Sequence, residues 1–335
     1  MKIIISPAKT MREDAETLAA RSFPAFEEDA EQLLRFLRGL APAEQKALWK
    51  CSDKLLERNR NRLLAMDWLD SLEMSSSGLS SSETKAAPGC ADAERADAAD
   101  AGRADVGRAN AGNADRGNVL PLSLRTPALL AYEGIQYQYL SAATLDGQAL
   151  RYLEQHLRIL SGVYGVLRPF DGVVPYRLEM QAKAKIGGAR DLYAFWGSRL
   201  AEVLLAEERE QQAEEKVEQA QQTEKKEEQA KEAGEVRPLI INLASKEYAK
   251  AVEPYLAGRA LFVTCLFVEH VDGTLRQKAT AAKMARGEMV RWMAETGAKT
   301  AEVLKNFDRL DYRFDAAESS AAQLVFVRST GSGTP

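Results

Sequence analysis

Short apolar blocks alternate with longer amphipathic blocks along most of the chain. The short blocks contain mainly Ile, Leu, Val and Phe, which is typical of buried strands. They predict strands at residues 2–6, 239–243, 260–268 and 324–328. Other blocks place apolar side chains at helical spacing, as Leu33, Leu34 and Leu37 do. They predict helices at residues 27–40, 42–68, 126–132, 191–205, 247–252 and 280–294.

One of these blocks, residues 42–68, is interrupted by Ser52 and Asp53. Because Ser and Asp often cap helix N-termini, the interruption predicts two helices joined by a short turn. Strands and helices are intermixed along the chain, so the sequence predicts an α/β fold of mixed α+β type. The prediction is a single compact domain around a mixed β-sheet that helices wrap.

Two segments depart from this pattern and predict insertions. Residues 75–118 repeat small units such as GRAD and GNAD and contain few large apolar side chains. Such a segment buries too little surface to offset its ordering entropy, so it predicts a disordered insertion. Residues 206–236 are rich in Glu, Gln and Lys, and predict a charged insertion that is helical or disordered. The predicted domain then comprises residues 1–74, 119–205 and 237–328, with a flexible tail at 329–335.

The formal net charge of −4 is unevenly distributed along the chain. Residues 75–118 include seven acidic and five basic side chains and residues 206–236 include eleven and five, so the remainder has a net charge of +4. The predicted domain is therefore mildly basic. A mild excess of this kind permits an anionic partner without requiring one.

The length of the apolar runs and the spacing of the cysteines indicate the cellular compartment of the protein. No apolar run approaches the roughly 18 residues of a membrane span, and the apolar start is too short for a signal-peptide core. Cys51, Cys90 and Cys265 are scattered, without the spacing of a metal site or a disulfide framework. These features predict a protein of the reducing cytoplasm. With two histidines in the chain, no metal centre and no cofactor are predicted.

The densest polar motif is residues 158–180, RILSGVYGVLRPFDGVVPYRLEM. A strand-like start is followed by glycines and prolines that let the backbone turn and approach a ligand closely. Arginine forks suit phosphate or carboxylate recognition, and tyrosines can stack on a base or close a pocket. The motif therefore predicts a binding site, and the alternative is a structural corner held by Arg–Glu pairs. Its candidate residues are Tyr164, Arg168, Tyr176, Arg177 and Glu179.

Three further motifs follow or flank predicted elements, and in open α/β sheets ligands gather where strands end. The candidates are Ser6 and Lys9 in SPAK, Asn242, Ser245 and Glu247 in INLASKEY, and Lys283 and Arg286 in KMARGEMVRWM. Each motif also has a plain structural interpretation: an exposed turn, a turn with a helix cap, and a solvated basic face. The chain contains no P-loop, GxGxxG, nucleophile-elbow or metal-cluster signature.

Seven motifs are specific in combination and in this order: ISPAKT, SDKL, LSGVYGVLRPFD, PYRLEM, LYAFW, INLASKEY and AKMARG. Together they resemble the YaaA family of bacterial peroxide-stress proteins. The resemblance covers nearly all of residues 1–328 apart from the two predicted insertions. Residues 276–287, RQKATAAKMARG, depart from the family pattern. In the family, the residues that lead into the helix predicted here at 280–294 are usually apolar and aromatic.

The resemblance implies a cytoplasmic protein that protects cells from hydrogen peroxide, limits free intracellular iron and binds DNA, including duplex DNA. In the family a helix–hairpin–helix-like element is associated with DNA binding. Residues 42–68 are the candidate for it here, although they lack a Gly-x-Gly hairpin. The candidate phosphate contacts are Lys46, Lys50, Lys54, Arg58, Arg60 and Arg62. Such contacts are largely independent of sequence and sensitive to salt.

A second hypothesis is an enzyme that acts on a nucleotide, a nucleobase or damaged nucleic acid. The mixture of acidic and basic candidates favours it, because a surface that only contacts the DNA backbone needs no such mixture. The four motifs would then converge into one cleft, with Glu179 or Glu247 as general acid or base and Arg177 and Lys283 holding an anion. Direct iron sequestration is disfavoured, since two histidines and no carboxylate cluster make a poor iron site.

Overall fold

The computed structural model describes residues 1–14, 16–69, 120–222 and 237–329. The predicted insertion at 75–118 lies outside the described residues, as do residues 223–236 of the second predicted insertion and 330–335 of the predicted tail. The chain forms two compact units, one of Met1–Ala65 with Pro121–Pro335 and one of Met66–Leu120. In the described part of the second unit, Asp67–Leu69 forms a 3₁₀ turn. The β-sheet and the candidate site belong to the first unit.

Twelve strands occur in the described residues, and eight of them form one sheet in the order β11-β12-β9-β8-β1-β5-β6, with β10 paired to β9. The strands are β1 Lys2–Ile5, β2 Thr10–Met11, β3 Thr126–Pro127, β4 Tyr132–Glu133, β5 Leu157–Ser161, β6 Gly165–Leu167, β7 Gly172–Val173, β8 Leu239–Leu243, β9 Leu261–Val271, β10 Thr274–Arg276, β11 Tyr312–Ser320 and β12 Gln323–Arg328.

The centre of the sheet is parallel and buried. Strands β12, β9, β8, β1 and β5 are mutually parallel, while β6, β10 and β11 pair in the antiparallel sense. Ile3, Ile4 and Ile5 of β1 are fully buried. A run that is apolar at every position is expected for a parallel strand whose two faces are both covered.

Twelve α-helices occur in the described residues. They are α1 Glu27–Gly39, α2 Pro42–Trp49, α3 Asp53–Leu64, α4 Ala128–Ala131, α5 Ile135–Leu140, α6 Gly147–His156, α7 Leu192–Trp196, α8 Arg199–Gln222, α9 Lys246–Ala249, α10 Glu253–Leu256, α11 Ala279–Thr296 and α12 Ala301–Leu304. None of them is long and apolar enough to cross a membrane. The predicted fold class, mixed α and β around a mixed sheet, is confirmed.

Strand β1 lies at the point where the order of strand addition reverses, so that later strands are added on its other side. It pairs with β5 on one side and with β8 on the other, and the later strands β9 and β12 continue beyond β8. Where the strand order reverses, the loops that follow two neighbouring parallel strands run in opposite directions along the sheet. A crevice therefore opens at the carboxyl ends of these two strands. In this molecule the crevice lies after Ile5 and Leu243.

Helices α5 and α11 pack closely over this crevice. A Cβ atom on Gly287 of α11 would lie 2.0 Å from the carbonyl oxygen of Gln136 in α5. Only glycine permits this approach, since real Cβ atoms do not come so close to backbone oxygen. The contact places the side chains of α5 and α11 on the same wall of the crevice.

Several elements differ from their sequence predictions. The predicted helix at 126–132 is helical only at Ala128–Ala131, because the residues around it pair with β2 and β7 instead. The predicted helix at 191–205 divides into α7 and α8 at Gly197, whose φ is +52°. Helix α6 and strand β11 have no counterpart among the sequence predictions.

Helix α8 extends from the predicted domain into the segment predicted as a charged insertion. Its Glu207 lies inside that segment, is 11% exposed at its side chain, and forms ion pairs with Arg158 at 2.5 Å and Arg168 at 3.1 Å. The first residues of the segment therefore contribute to the packing around β5.

Candidate functional site

A cavity of about 490 Å³ opens at the carboxyl ends of β1 and β8. The loops that follow these strands are tied together by the hydroxyl of Ser6, which accepts a hydrogen bond from the Ser245 amide at 2.8 Å and lies 3.2 Å from the Ser245 hydroxyl. Ser245 occupies the N-cap position of α9, although its side chain forms no capping bond. The SPAK and INLASKEY motifs thus form adjoining walls of one cavity.

Buried tyrosines form the floor of the cavity. Tyr137 donates a hydrogen bond to the Ser6 carbonyl at 3.0 Å. The Tyr176 hydroxyl lies 2.6 Å from the Ser161 hydroxyl and 2.9 Å from that of Tyr132. Burial raises the pKa of Tyr176 to about 12, against the opposing effect of these two hydrogen bonds. Tyr176 is therefore a neutral hydrogen-bonding group at physiological pH.

A carboxylate and two cations meet at the rim. Lys9 Nζ lies 2.9 Å from Glu179 Oε1, and Arg177 Nη2 lies 3.7 Å from the same oxygen. The Arg177 guanidinium also donates to the carbonyls of Lys9 at 3.4 Å and Trp49 at 3.3 Å. The Lys9 side chain is 66% exposed and that of Arg177 is 10% exposed, so Arg177 is the anchored member of this cluster.

Glu247 is a further carboxylate that lines the cavity. Its Oε1 accepts a hydrogen bond from the Gln181 amide at 3.1 Å. Burial, with the charge of Glu179, raises the pKa of Glu247, while the Gln181 amide and Lys9 act in the opposite direction. A carboxyl whose pKa is raised holds its proton to higher pH than an ordinary glutamate does.

Helix α11 contributes Lys283 and Arg286 to the opposite wall. Burial lowers the pKa of the Arg286 guanidinium, and within the described residues Arg286 forms no ion pair. Its Nε atom has no acceptor, and neither has Nε2 of Gln136 nor Nε of Arg177. All three side chains line the cavity.

The structure brings nine of the twelve predicted site residues to this cavity. They are Ser6, Lys9, Tyr176, Arg177, Glu179, Ser245, Glu247, Lys283 and Arg286. The roles predicted for them in binding or catalysis stay predictions.

The other three predicted residues do not line the cavity. The Tyr164 hydroxyl accepts from the Val174 amide at 3.1 Å inside the core. Asn242 accepts from the Ala244 amide at 2.9 Å and donates to the Thr264 hydroxyl, which shapes the turn after β8. Arg168 pairs with Glu207 at 3.1 Å. The first half of the 158–180 motif is therefore a structural corner, and its second half lines the cavity.

The cavity lining also includes residues that were not among the predicted candidates, and Gln136, Tyr137 and Tyr248 are three of them. Tyr248 closes the INLASKEY motif, so its position next to Glu247 was a usable signal. Gln136 and Tyr137 lie in the unremarkable run IQYQYL of α5. Only the packing of α5 against α11 brings them to the site.

The helix pair α2 and α3 carries the candidate DNA contacts. The turn between the helices uses Lys50 in the left-handed conformation, with φ +45°, where a hairpin often has glycine. Lys46 is paired with Asp53 at 2.5 Å. Arg60 donates to the Gln45 side chain at 3.0 Å and Arg62 to the Met11 carbonyl at 3.3 Å. The candidates that remain exposed without an ion pair in the described residues are Lys50, Lys54 and Arg58.

A second cavity, of about 640 Å³, lies beside α2. It is lined by Trp49, Phe36 and Leu40 together with several lysines, and it shares Glu179 with the first cavity. The indole Nε1 of Trp49 is buried without an acceptor in the described residues. In residues 1–14, 16–69, 120–222 and 237–329, no group of three or more His, Cys, Asp or Glu side chains is placed to hold a metal ion.

Comparison with known proteins agrees with the sequence resemblance. The family model of the peroxide stress protein YaaA matches residues 1–87 and 97–318. A UPF0246 protein of Pediococcus pentosaceus is 37% identical over 329 residues, which cover 98% of this chain and 98% of the relative. UPF0246 proteins of Lactiplantibacillus plantarum and Agathobacter rectalis are 37% and 36% identical over 328 residues, and each match covers 98% of this chain and 99% of the relative.

Proposed function

The chain belongs to the family of the peroxide stress protein YaaA, and we propose that it protects the cytoplasm against hydrogen peroxide by binding DNA largely without sequence specificity and by lowering free iron. Family membership supports the role in peroxide stress. The exposed cations of α2 and α3 support the contact with DNA. Lower free iron is an indirect outcome in this proposal, because the described residues offer no cluster of metal ligands.

The observation that carries the DNA proposal is the triplet Lys50, Lys54 and Arg58, exposed on one helix–turn–helix unit without carboxylate partners in the described residues. Cations of this kind displace the counterions condensed on the phosphate backbone, and this gives affinity without base recognition. Lys46, Arg60 and Arg62 differ from this triplet, because each already has a partner within the protein: Asp53 at the surface, the Gln45 side chain and the Met11 carbonyl, respectively.

The proposal predicts binding to duplexes of unrelated sequence with affinity that falls as salt rises. Replacing Lys50, Lys54 and Arg58 together by alanine should reduce the slope of log affinity against log salt by about 0.9 for each phosphate that the variant no longer neutralises. Fluorescence anisotropy of labelled duplexes over a salt series measures this slope.

The control is a triple alanine variant at Arg151, Arg276 and Lys299, which are exposed cations outside the helix pair. It should keep the wild-type slope. Binding that is independent of salt, or a slope that the two triple variants lower equally, would refute the role of α2 and α3.

A second candidate function, an enzyme acting on a nucleotide, nucleobase or damaged nucleic acid, is favoured by the two carboxylates of the first cavity. Glu179 lies beside Lys9 and Arg177, whereas burial raises the pKa of Glu247. Glu247 then suits a general acid that gives a proton to a nitrogen or oxygen of the bound ligand. Glu179 suits the complementary role of a charged group that orients the ligand or accepts a proton.

A further inference from the structure

Two buried donor atoms on α5 and α11, beside the first cavity, lack acceptors in the part of the chain that the structure describes. Nε2 of Gln136 and Nε of Arg286 have no partner within the described residues, and Gln136 is 7% exposed. Because buried donors without acceptors destabilise a fold, such groups are usually satisfied or serve a purpose. Both side chains line the first cavity.

Arg286 differs from Arg177, the other arginine that lines the cavity. The Arg177 guanidinium is held by two backbone carbonyls and by Glu179. The Arg286 guanidinium makes no hydrogen bond or ion pair with the described residues, and an arginine keeps its charge inside proteins. Arg286 is half-buried at the cavity wall. A charged guanidinium in such a place, without a counter-charge among the described residues, is expected to meet an anion from outside the chain.

The carboxylates of the cavity do not serve as that anion. Glu179 is occupied by Lys9 and Arg177, and Glu247 accepts from the Gln181 amide. Glu133 lines the rim and is exposed. The two cations of α11, Lys283 and Arg286, therefore face the cavity without a counter-charge from the described residues.

The volume and the charge together indicate the ligand class. About 490 Å³ lies within the usual range of roughly 300–1,000 Å³ for small-ligand sites, so a single nucleotide fits and a duplex does not. An internal phosphate of a strand has a sugar on both sides, whereas a terminal phosphate projects and carries a second charge. Two cations and the amide of Gln136 match a projecting dianion with several acceptor oxygens.

We propose that Gln136, Lys283 and Arg286 form a subsite for a terminal phosphate monoester, supplied by a free nucleotide or by the end of a nucleic acid strand. The proposal rests on the proposed function, since it names the part of a nucleotide or nucleic acid that the cavity binds. It adds a preference for phosphate ends that contacts along α2 and α3 do not provide.

Calorimetric titration of the full chain tests this preference. The probes are thymidine 5′-monophosphate against thymidine, and a single-stranded oligothymidylate with a 5′-phosphate against the same strand with a 5′-hydroxyl. Wild-type protein should bind at least one phosphorylated probe about tenfold more tightly than its hydroxyl counterpart, as expected for charge-assisted hydrogen bonds. The member of the pair that shows the preference identifies the source of the phosphate.

Arg286→Met and Gln136→Leu should each remove the preference, and Lys299→Met should keep it, since Lys299 is exposed outside the cavity. Thermal unfolding checks the fold: thymidine 5′-monophosphate should raise the Tm of wild type and leave that of Arg286→Met unchanged. Removing a half-buried charge that has no counter-charge among the described residues should not lower the Tm of the free protein.

Equal affinity for phosphorylated and hydroxyl probes, or a preference that survives both cavity variants, would overturn the subsite. Either result leaves the DNA proposal standing if the salt slope still depends on Lys50, Lys54 and Arg58. Conversely, the triple alanine variant at these residues could keep the wild-type salt slope while the phosphate preference is present. That result would refute the role of α2 and α3 and leave the subsite supported.

Discussion

At the scale of residues, the chemistry of the site comes from how each charge is partnered. Arg168 and Arg177 lie nine positions apart in the same motif, yet Arg168 pairs with Glu207 and Arg177 lines the cavity. Glu179 and Glu247 share the cavity, but only Glu179 has cations at ion-pair distance. The residue type was enough to predict each of these side chains as a site residue. Its neighbours in the fold determine whether it lines the cavity or forms an ion pair elsewhere.

Glu247 gives the prediction at this scale. Its folded pKa is raised, so between its unfolded and folded pKa values the folded state binds more protons. The unfolding free energy should therefore fall as pH rises through that window, and any proton donation by Glu247 should disappear over the same range. Burial also raises the pKa of Glu31. Glutamate carboxyl ¹³C NMR should therefore show a resonance of Glu247 that titrates above the ordinary value and is absent in Glu247→Gln, while that of Glu31 persists.

The control is Glu253→Gln, an exposed position in α10, which should leave the shifted resonance in place. Turnover of a nucleotide substrate by Glu247→Gln at the wild-type rate would exclude Glu247 as the acid.

At the scale of elements, the site depends on how closely α11 approaches α5. Gly287 lies between Arg286 and Glu288 in the helix interior, where glycine ordinarily weakens a helix. Its place is explained by the Gln136 carbonyl, which leaves no room for a Cβ atom. The same contact holds Gln136 and Arg286 on one wall.

Gly287→Ala should consequently destabilise the protein although alanine is the better helix former. A Cβ atom 2.0 Å from the Gln136 oxygen forces the helices apart, and overpacking of this kind costs about 3 kcal/mol. Chemical denaturation measures the change in unfolding free energy. Gly39→Ala, at the end of α1 with nothing within 4 Å of the new Cβ, should change stability by less than about 0.5 kcal/mol, and equal effects of the two variants would contradict the packing argument.

The sequence pattern predicted those elements in which the apolar positions along the chain are also the buried positions in the fold. The isoleucines of β1 and the SPAK motif after them marked a strand with a polar loop, and the structure has both. Gln136 and Tyr137 gave no signal because their role arises from a helix contact distant in sequence. Strand β11, YRFDAAESS, is too polar to predict from composition, and it forms because β12 pairs with it.

At the scale of the whole molecule, the cavity draws on residues from both sides of the predicted insertion at 75–118. Ser6 precedes it, and Gln136, Glu247 and Arg286 follow it. The sequence of the insertion offers few large apolar side chains for a core, so its contribution to the unfolding free energy should be small.

Replacing residues 75–118 by a short Gly-Ser linker should therefore leave the Tm and the phosphate preference unchanged. Differential scanning calorimetry and the thymidine titrations measure the two quantities. A marked fall in Tm would show that the segment belongs to the folded domain.

Strand β1 has a consequence for synthesis on the ribosome. Its residues pair with Leu157–Ser161 and with Leu239–Leu243, so a nascent chain carries an unpaired stretch of isoleucines until most of it has emerged. The donors of α11 emerge later still. A product that ends before β5 would therefore leave the apolar first strand without either partner strand and would also lack Lys283 and Arg286.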